Sequence, residues 1–401
     1  MLKKETQYDA PGPDRIQAVF VCHRGSLTPA GGGGVQLCTR EYFETLTAAG
    51  FDLTTVEVDN DRRLLSRMKR RISPNPYRNS MLKEDVIAEM RRQWTPDTSH
   101  VFLNQATTRP LAPAIKREFG GQVHVSVLSH GLRSVDFFHE ARARSGGNPS
   151  RQSLLSLANQ LFDENSHSES IDHVFCVAPF EMEIEKWLGA RSVSFVPRTI
   201  RHTKLNWNPV VGRIGYVGQL DHPPNEEGLK LFLKALGRRR SDEIRVRVVG
   251  GPAFAGRKVA REFKTVEFLG RLSDDELERE AATWTCFLHP VFCYAMGVST
   301  KLAVGIGWEL PIVATSMGCR GYVWEQGIVP TADTPEEFAE LVCRIADTDE
   351  ASRVQGQISL VKHSSPTAAK VASLVAATLN SLENRESGEN CRPLATGIVE
   401  L

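Results

Sequence analysis

The stretch GVSTKLAVGIGWELPIVATSMGCRGY, Gly297–Tyr322, decides how this chain is read. With Ala295 and Met296 ahead of it, its start is a small-residue loop opening onto a helix around Lys301. Such a loop predicts free backbone N–H groups at Gly297, Val298 and Ser299 facing an anion, with the Lys301 ammonium placed to neutralise a phosphate oxygen. One Gly and one Lys at a helix start would suit an ordinary loop equally well, so the surroundings decide. Upstream, TCFLHP reads as a buried strand; downstream, PIVATS reads as another, whose end delivers Gly318 and Gly321. Ligands of open parallel sheets bind outside the carboxyl ends of strands, so both loops are expected to border one crevice.

Working outward, the same alternation continues. Before the quoted stretch come strand RIGYVG, helix GLKLFLKAL, strands RVRVVGG and VEFLG, and helix DDELEREAAT; after it comes helix PEEFAELVCRIAD. The N-terminal half repeats the plan: IQAVFVCH (Ile16–His23) enters Gly31–Gly34, a helix is expected from about Val35, Gly50 ends it, and strand FDLTTVEVD follows. A strand, helix, strand unit implies a right-handed crossover in a parallel sheet. SHVFLNQ, QVHVSVLSHG and HVFCVAP add strands, with helices LAPAIKREFG and QSLLSLANQLFDEN between them. The expected fold class is α/β, two Rossmann-like doubly wound domains. Pro197 and Pro209 flank a polar stretch, which sets the boundaries at 1–198, a linker at 199–209, 210–382, and a mobile tail at 383–401 that lacks periodicity.

Composition limits the function classes. At 401 residues, with 41% hydrophobic and 24% charged residues, the chain is an ordinary globular protein of about two domains. The 49 basic and 48 acidic residues leave a formal charge of +1, without the broad field of a nucleic-acid binder. Neither Arg62–Arg71 nor Arg238–Arg240 carries interleaved aromatic residues, so no nucleic-acid partner is expected. The run Arg62–Asn79 reads either as a solvated loop or as a surface for an anionic membrane or lipid-linked acceptor. No leader or bilayer-spanning run is visible, so a cytoplasmic location is expected, with Arg62–Arg71 as the point of any peripheral membrane contact. Eight scattered cysteines lack the spacing of a zinc site and read as reduced, buried packing residues. Gly31–Gly34 does not spell G-x-G-x-x-G, which argues against a Rossmann dehydrogenase.

The chain resembles the GT4-like branch of the GT-B glycosyltransferases, the group 1 glycosyl transferases. The resemblance rests on GYVGQLDHPPNEEGLKLFLKAL (Gly215–Leu236), VVGG, FLGRLSDDELE and the opening stretch, together spanning about 215–322. It implies two Rossmann-like domains facing each other across a cleft, and a nucleotide-diphosphate sugar, UDP- or GDP-linked, held mainly by the C-terminal one. Carried over by position, Gly218 matches the turn near the diphosphate, Lys301 the phosphate-binding lysine, and Arg271 with Leu272 the loop beside the base. Gly33 and Gly34 match the loop near acceptor and diphosphate. His130, at the end of a predicted strand and before Gly131, matches the histidine near the transferred sugar and is the candidate catalytic residue. Arg133 and Asp136 are weaker candidates, better suited to surface ion pairing.

The resemblance further implies retention of configuration, no cofactor and no metal; no Asp-x-Asp pair lies at a convincing strand end. Acceptors in view are a saccharide, a lipid-linked sugar or a small molecule. Three positions depart from the family pattern. Gln219 stands where Arg is common, Val304 where a donor-binding Glu is usual, and Glu309 with Leu310 where a Gly precedes P-x-V-A-T. A lost fixed cation weakens donor binding by about 1.5–3 kcal/mol unless Arg213, Lys258 or Arg320 compensates. Glu309 is expected at the surface, with donor binding as the other reading. Two further readings of the whole chain stay open: a catalytically weakened partner subunit that binds nucleotide sugars, and a nucleotide-sugar epimerase on the same architecture.

Overall fold

The structure, a computed structural model, describes residues 15–28, 33–59, 83–201, 203–239, 243–293 and 296–386, with side chains except at 143–144 and 383–386. Gly31, Gly32, the basic run from Arg62 to Asn79, Arg240, Cys391 and positions 387–401 lie outside the described residues.

Two parallel sheets carry the chain. The first runs β1 (Ile16–His23), α1 (Gly34–Ala48), β2 (Phe51–Val58), α2 (Lys83–Gln93), β3 (Thr98–Asn104), α3 (Ala112–Phe119), β4 (His124–Leu128), α4 (Arg133–Arg144), α5 (Arg151–Asn165), β5 (His173–Cys176), α6 (Pro179–Trp187) and β6 (Val193–Phe195). Its order is β2-β1-β3-β4-β5-β6. The second runs β7 (Arg213–Gln219), α7 (Pro223–Arg238), β8 (Arg245–Gly251), α8 (Ala253–Glu262), β9 (Val266–Gly270), α9 (Asp274–Ala281), β10 (Cys286–His289), α10 (Thr300–Gly307), β11 (Ile312–Ala314), α11 (Pro335–Ile345), α12 (Thr348–Ser364) and α13 (Ala368–Glu386). Its order is β11-β10-β7-β8-β9.

These orders follow from strands buried on both faces. Val19, Val21, Val101, Val125 and Val174 fill one side of the first sheet, and Phe20, Phe102, Leu128 and Phe175 the other. In the second, Ile214, Tyr216, Val246, Val248, Phe287 and Ile312 share one core with the apolar faces of α7 and α11. Each sheet reverses its winding at one point, β1/β3 in the first and β7/β10 in the second. Crevices open at such switch points, which places the loops after β1, β7 and β10 at the ligand-binding edge.

Two features join the domains. The linker is tied to α1, because Glu41 accepts from the Thr199 backbone N–H (2.8 Å) and hydroxyl (2.9 Å) and pairs with buried Arg198 at 2.5 Å. Helix α13 then crosses back: Val371, Val375 and Leu379 pack with Phe20, Tyr42 and Leu46 of the first domain. Sequence order alone had placed 368–382 with the second domain; packing puts this helix on the first, since its apolar face covers α1.

Candidate functional site

A cleft of about 800 Å³ opens between the domains. The residues picked from sequence, Gly33, Gly34, His130, Gly218, Gln219, Arg271, Leu272, Val298, Ser299 and Lys301, all line it. Gly297 alone of that set does not. Arg320 lines the cleft while Arg213 and Lys258 do not, so of the three compensating cations considered only Arg320 is in place.

Three helix starts border this space. Helix α1 begins at Gly34, α7 at Pro223 after its N-cap His222, and α10 at Thr300 after its N-cap Ser299. A Cβ added at Gly34 would stand 3.4 Å from Thr300 Oγ1, so the starts of α1 and α10 face each other from the two domains. The first N–H groups of a helix have no intrahelical acceptor and form the positive end of its dipole. Tyr322 rigidifies α10: its hydroxyl donates to Ser299 O (2.5 Å) and accepts from the Ala303 N–H (3.1 Å).

Lys301 donates to Asn225 Oδ1 at 2.6 Å, its Nζ 5.7 Å from the centre of the Tyr216 ring. No ion pair to a carboxylate is found for it among the described residues, its partner being the Asn225 amide. Burial, and secondly the Arg320 guanidinium, hold its pKa down to about 8. Such an ammonium, half-desolvated and facing another cation, gains most from an anion that bridges the two. His289 forms part of the same wall: it is buried, its Nε2 has no hydrogen-bond partner, and burial, then Lys301 and Arg320, hold its pKa well below the usual value. The Ser299 hydroxyl is likewise buried and unpartnered.

The Gly297 N–H is not free, which corrects the expectation. It donates at 2.7 Å to Oε1 of Glu181, a buried residue of α6 that also accepts from Leu132 N–H at 3.3 Å. Burial pushes the Glu181 pKa up to about 8, against the lowering effect of these two N–H groups. The contact is backbone on backbone: a Cβ at Gly131 would overlap Gly297 N, and one at Gly297 would overlap His130 O. Both glycines are left-handed, φ +122° and +63°, so glycine is required twice over where the domains touch.

His130 is held by a chain of hydrogen bonds from α1. Thr39 Oγ1 donates to Val35 O (2.9 Å), Asn104 Nδ2 donates to Thr39 Oγ1 (3.0 Å), and Asn104 Oδ1 therefore accepts from His130 Nε2 (2.9 Å). The proton sits on Nε2 and Nδ1 is left as a bare acceptor with no partner. Burial, then Arg198 and His23, push the His130 pKa down to about 3, so the ring is neutral near pH 7.

Asp136 is not at the surface. It lines the cleft, accepts from Met296 N–H at 2.6 Å, and its Oδ2 lies 3.9 Å from His222 Nε2. Glu309 serves neither expected role: it is 5% exposed, absent from the cleft wall, and paired with Lys362 (2.8 Å) and Lys204 (3.3 Å). Its φ of +55° explains why glycine suits this place, and the two lysines explain how a glutamate is held there. Asn225, Tyr322, Glu181 and Asn104 were missed. The first two lay inside quoted motifs without a charge to mark them, and the others act only through contacts distant in sequence. Among the described residues no group of three or more His, Cys, Asp or Glu is arranged to hold a metal ion.

Comparison with solved structures places this architecture. Sucrose-phosphate synthase from Thermosynechococcus elongatus superposes with a TM-score of 0.61 at 16% identity over 94% of this chain and all of that one. HepE of Anabaena, solved with UDP and glucose, gives 0.59 at 12% over 92% of this chain and all of that one. The O-GlcNAc transferase of Thermobaculum terrenum gives 0.54 at 12% over 94% and 68%. The fold is GT-B. Within it, residues 212–348 match the family described as Glycosyl transferases group 1, so the resemblance drawn from 215–322 holds over the second domain. No protein of curated function matches the sequence. No helix among the described residues is long and apolar enough to cross a membrane.

Proposed function

We propose that this chain is a glycosyltransferase that moves a sugar from a nucleoside-diphosphate donor, UDP- or GDP-linked, to a saccharide, lipid-linked or small-molecule acceptor, with retention and without a metal or cofactor. The observation that carries this reading is Lys301, an ammonium without a carboxylate partner, beside Arg320 and the starts of α1 and α10 in one interdomain cleft. Charge grows on the diphosphate as the C1–O bond breaks, and preformed donors at that position lower the barrier. Neutral His130 contributes an acceptor at Nδ1 for a hydroxyl of the sugar or acceptor, and the departing diphosphate takes the acceptor's proton.

UDP is the first nucleotide to test, since HepE, of the same fold, was solved with it. Arg271 and Leu272, which line the cleft, flank the base in this reading. A cytoplasmic, peripherally membrane-attached setting through Arg62–Arg71 remains part of the proposal and is tested by salt-sensitive liposome flotation. The second reading, a partner subunit, draws on Gln219 and Val304, which line the cleft without charge. Incubation with UDP- and GDP-sugars, with and without EDTA, decides between them. Turnover that survives EDTA and drops in Lys301→Ala supports the transferase; no binding of any nucleotide sugar and no effect of Lys301→Ala would sink it.

A further inference from the structure

Sugar hydroxyls are hydrogen-bond donors as well as acceptors, so a cleft that selects a sugar needs strong acceptors in its wall. Among the described residues lining this cleft, Asp136 is the one carboxylate. Its first oxygen is committed: Oδ1 accepts from the Met296 N–H at 2.6 Å, which fixes the side chain against the loop leading to Ser299 and Lys301. Its second oxygen faces His222 Nε2 at 3.9 Å, too far for a hydrogen bond. The two side chains come from opposite domains, Asp136 from the first turn of α4 and His222 from the N-cap of α7.

A gap of that width has a definite chemical complement. A hydroxyl oxygen about 2.7 Å from the carboxylate and about 2.9 Å from the imidazole closes it with an angle of roughly 90° at the oxygen, and a slight parting of the domains widens this toward the tetrahedral value. The hydroxyl donates to Oδ2 and accepts from His222 Nε2–H. Position identifies which hydroxyl: Met296, on which Asp136 rests, offers its carbonyl to Arg320 at 3.5 Å, so Asp136 and the cationic corner with Lys301 lie on either side of one residue's backbone. The group next to a diphosphate held in that corner is the glycosyl residue.

We propose that Asp136 and His222 form a two-domain clamp on one hydroxyl of the transferred sugar, making Asp136 the residue that distinguishes a nucleotide sugar from the bare nucleotide. This rests on the reading that a nucleoside diphosphate occupies the cleft. Asp136 is a binding and positioning residue in this account, with no covalent role.

The test compares affinities for UDP-glucose, UDP-N-acetylglucosamine and GDP-mannose with those for UDP and GDP by calorimetry, in the wild type, Asp136→Asn, Asp136→Ala and His222→Ala. Asparagine can still accept from Met296 N–H, so Asp136→Asn should bind the nucleoside diphosphate within about twofold of wild type and the best nucleotide sugar about tenfold more weakly. His222→Ala should weaken the nucleotide sugar alone, and combined with Asp136→Asn should add little to it, because both grip one hydroxyl. Asp136→Ala separates the loop tether from the clamp: only its loss should extend to the nucleoside diphosphate. Unchanged nucleotide-sugar affinity in Asp136→Asn, or equal weakening of both ligand types, overturns the clamp while leaving the donor site standing. Failure of the wild type to bind UDP or GDP overturns the donor site, and the clamp with it.

Discussion

Lys301 is the residue expected to set the response of the proposed donor site to pH. Its amine is charged below about pH 8 and neutral above, because burial and Arg320 both disfavour the ammonium. Affinity for a nucleoside diphosphate should therefore fall about tenfold between pH 7 and 9, the change in protonated fraction for one group titrating midway. Lys301→Arg should abolish that fall while keeping a cation, and Lys301→Ala should weaken binding roughly ten- to hundredfold at pH 7 with no pH step. Retention of the step in Lys301→Arg would assign it to another group. His130, already neutral because its pKa is near 3, should contribute no limb near pH 6.5 to a pH–rate profile. His130→Ala should lower turnover about 10- to 100-fold with nucleoside-diphosphate affinity unchanged, and equal losses in both would show that the ring only supports the fold. Cleft-lining residues were legible where a glycine or histidine stood at a strand end, as at Gly218 and His130, or a lysine in the first turn of a helix, as at Lys301. Asn225 and Asn104 were not, because an amide signals nothing until the fold brings its partner beside it.

At the scale of elements, the loop after β4 and the loop before α10 share one acceptor. Glu181 Oε1 takes the N–H of both Leu132 and Gly297, so its removal orphans two buried donors and should cost about 2–4 kcal/mol. Glu181→Gln keeps the accepting oxygen and should cost less than about 1 kcal/mol, whereas Glu181→Ala should show the full loss in urea melts; equal effects would refute the shared-acceptor role. The sign of the pH dependence follows from a carboxyl whose folded pKa is raised to about 8. Its contribution is complete below its unfolded value near 4.5 and fades as pH rises through 8, and Glu181→Gln should remove that fading. Most strands were readable as runs of β-rich residues, and several helices as 3.6-residue patterns, two of them closed by a glycine, at Gly50 and Gly120. The Gly297 N–H was misread for a related reason: sequence shows which N–H groups a loop leaves over, while the acceptor that takes one arrives 116 residues away.

For the whole molecule, buried imidazoles dominate the acid side. His100 and His130 have pKa values lowered to about 3 and His173 to about 4, each chiefly by burial. Folding keeps these rings neutral, so their contribution is complete above about pH 6.5 and is lost as pH falls toward 4. Glu181 runs in the opposite direction over part of this range, but three imidazoles outweigh one carboxyl. Calorimetric Tm should drop by roughly 5–10 °C between pH 7 and 5; a flat profile would mean that these rings are hydrated in solution. Two doubly wound domains, whose pairing as GT-B came from the resemblance carried by residues 215–322, were visible in the sequence because each half alternates strand and helix. The return of α13 onto the first domain was not, since an amphipathic helix carries no mark of which core it will cover. Both switch points open onto one cleft, and the whole account depends on a diphosphate lying there against Lys301. The direct measurement is a crystal structure of the protein with UDP or GDP bound: phosphate oxygens within about 3 Å of Lys301 Nζ, between the starts of α1 and α10, are expected, and a diphosphate bound elsewhere, with Lys301 still engaged only by Asn225, would contradict it.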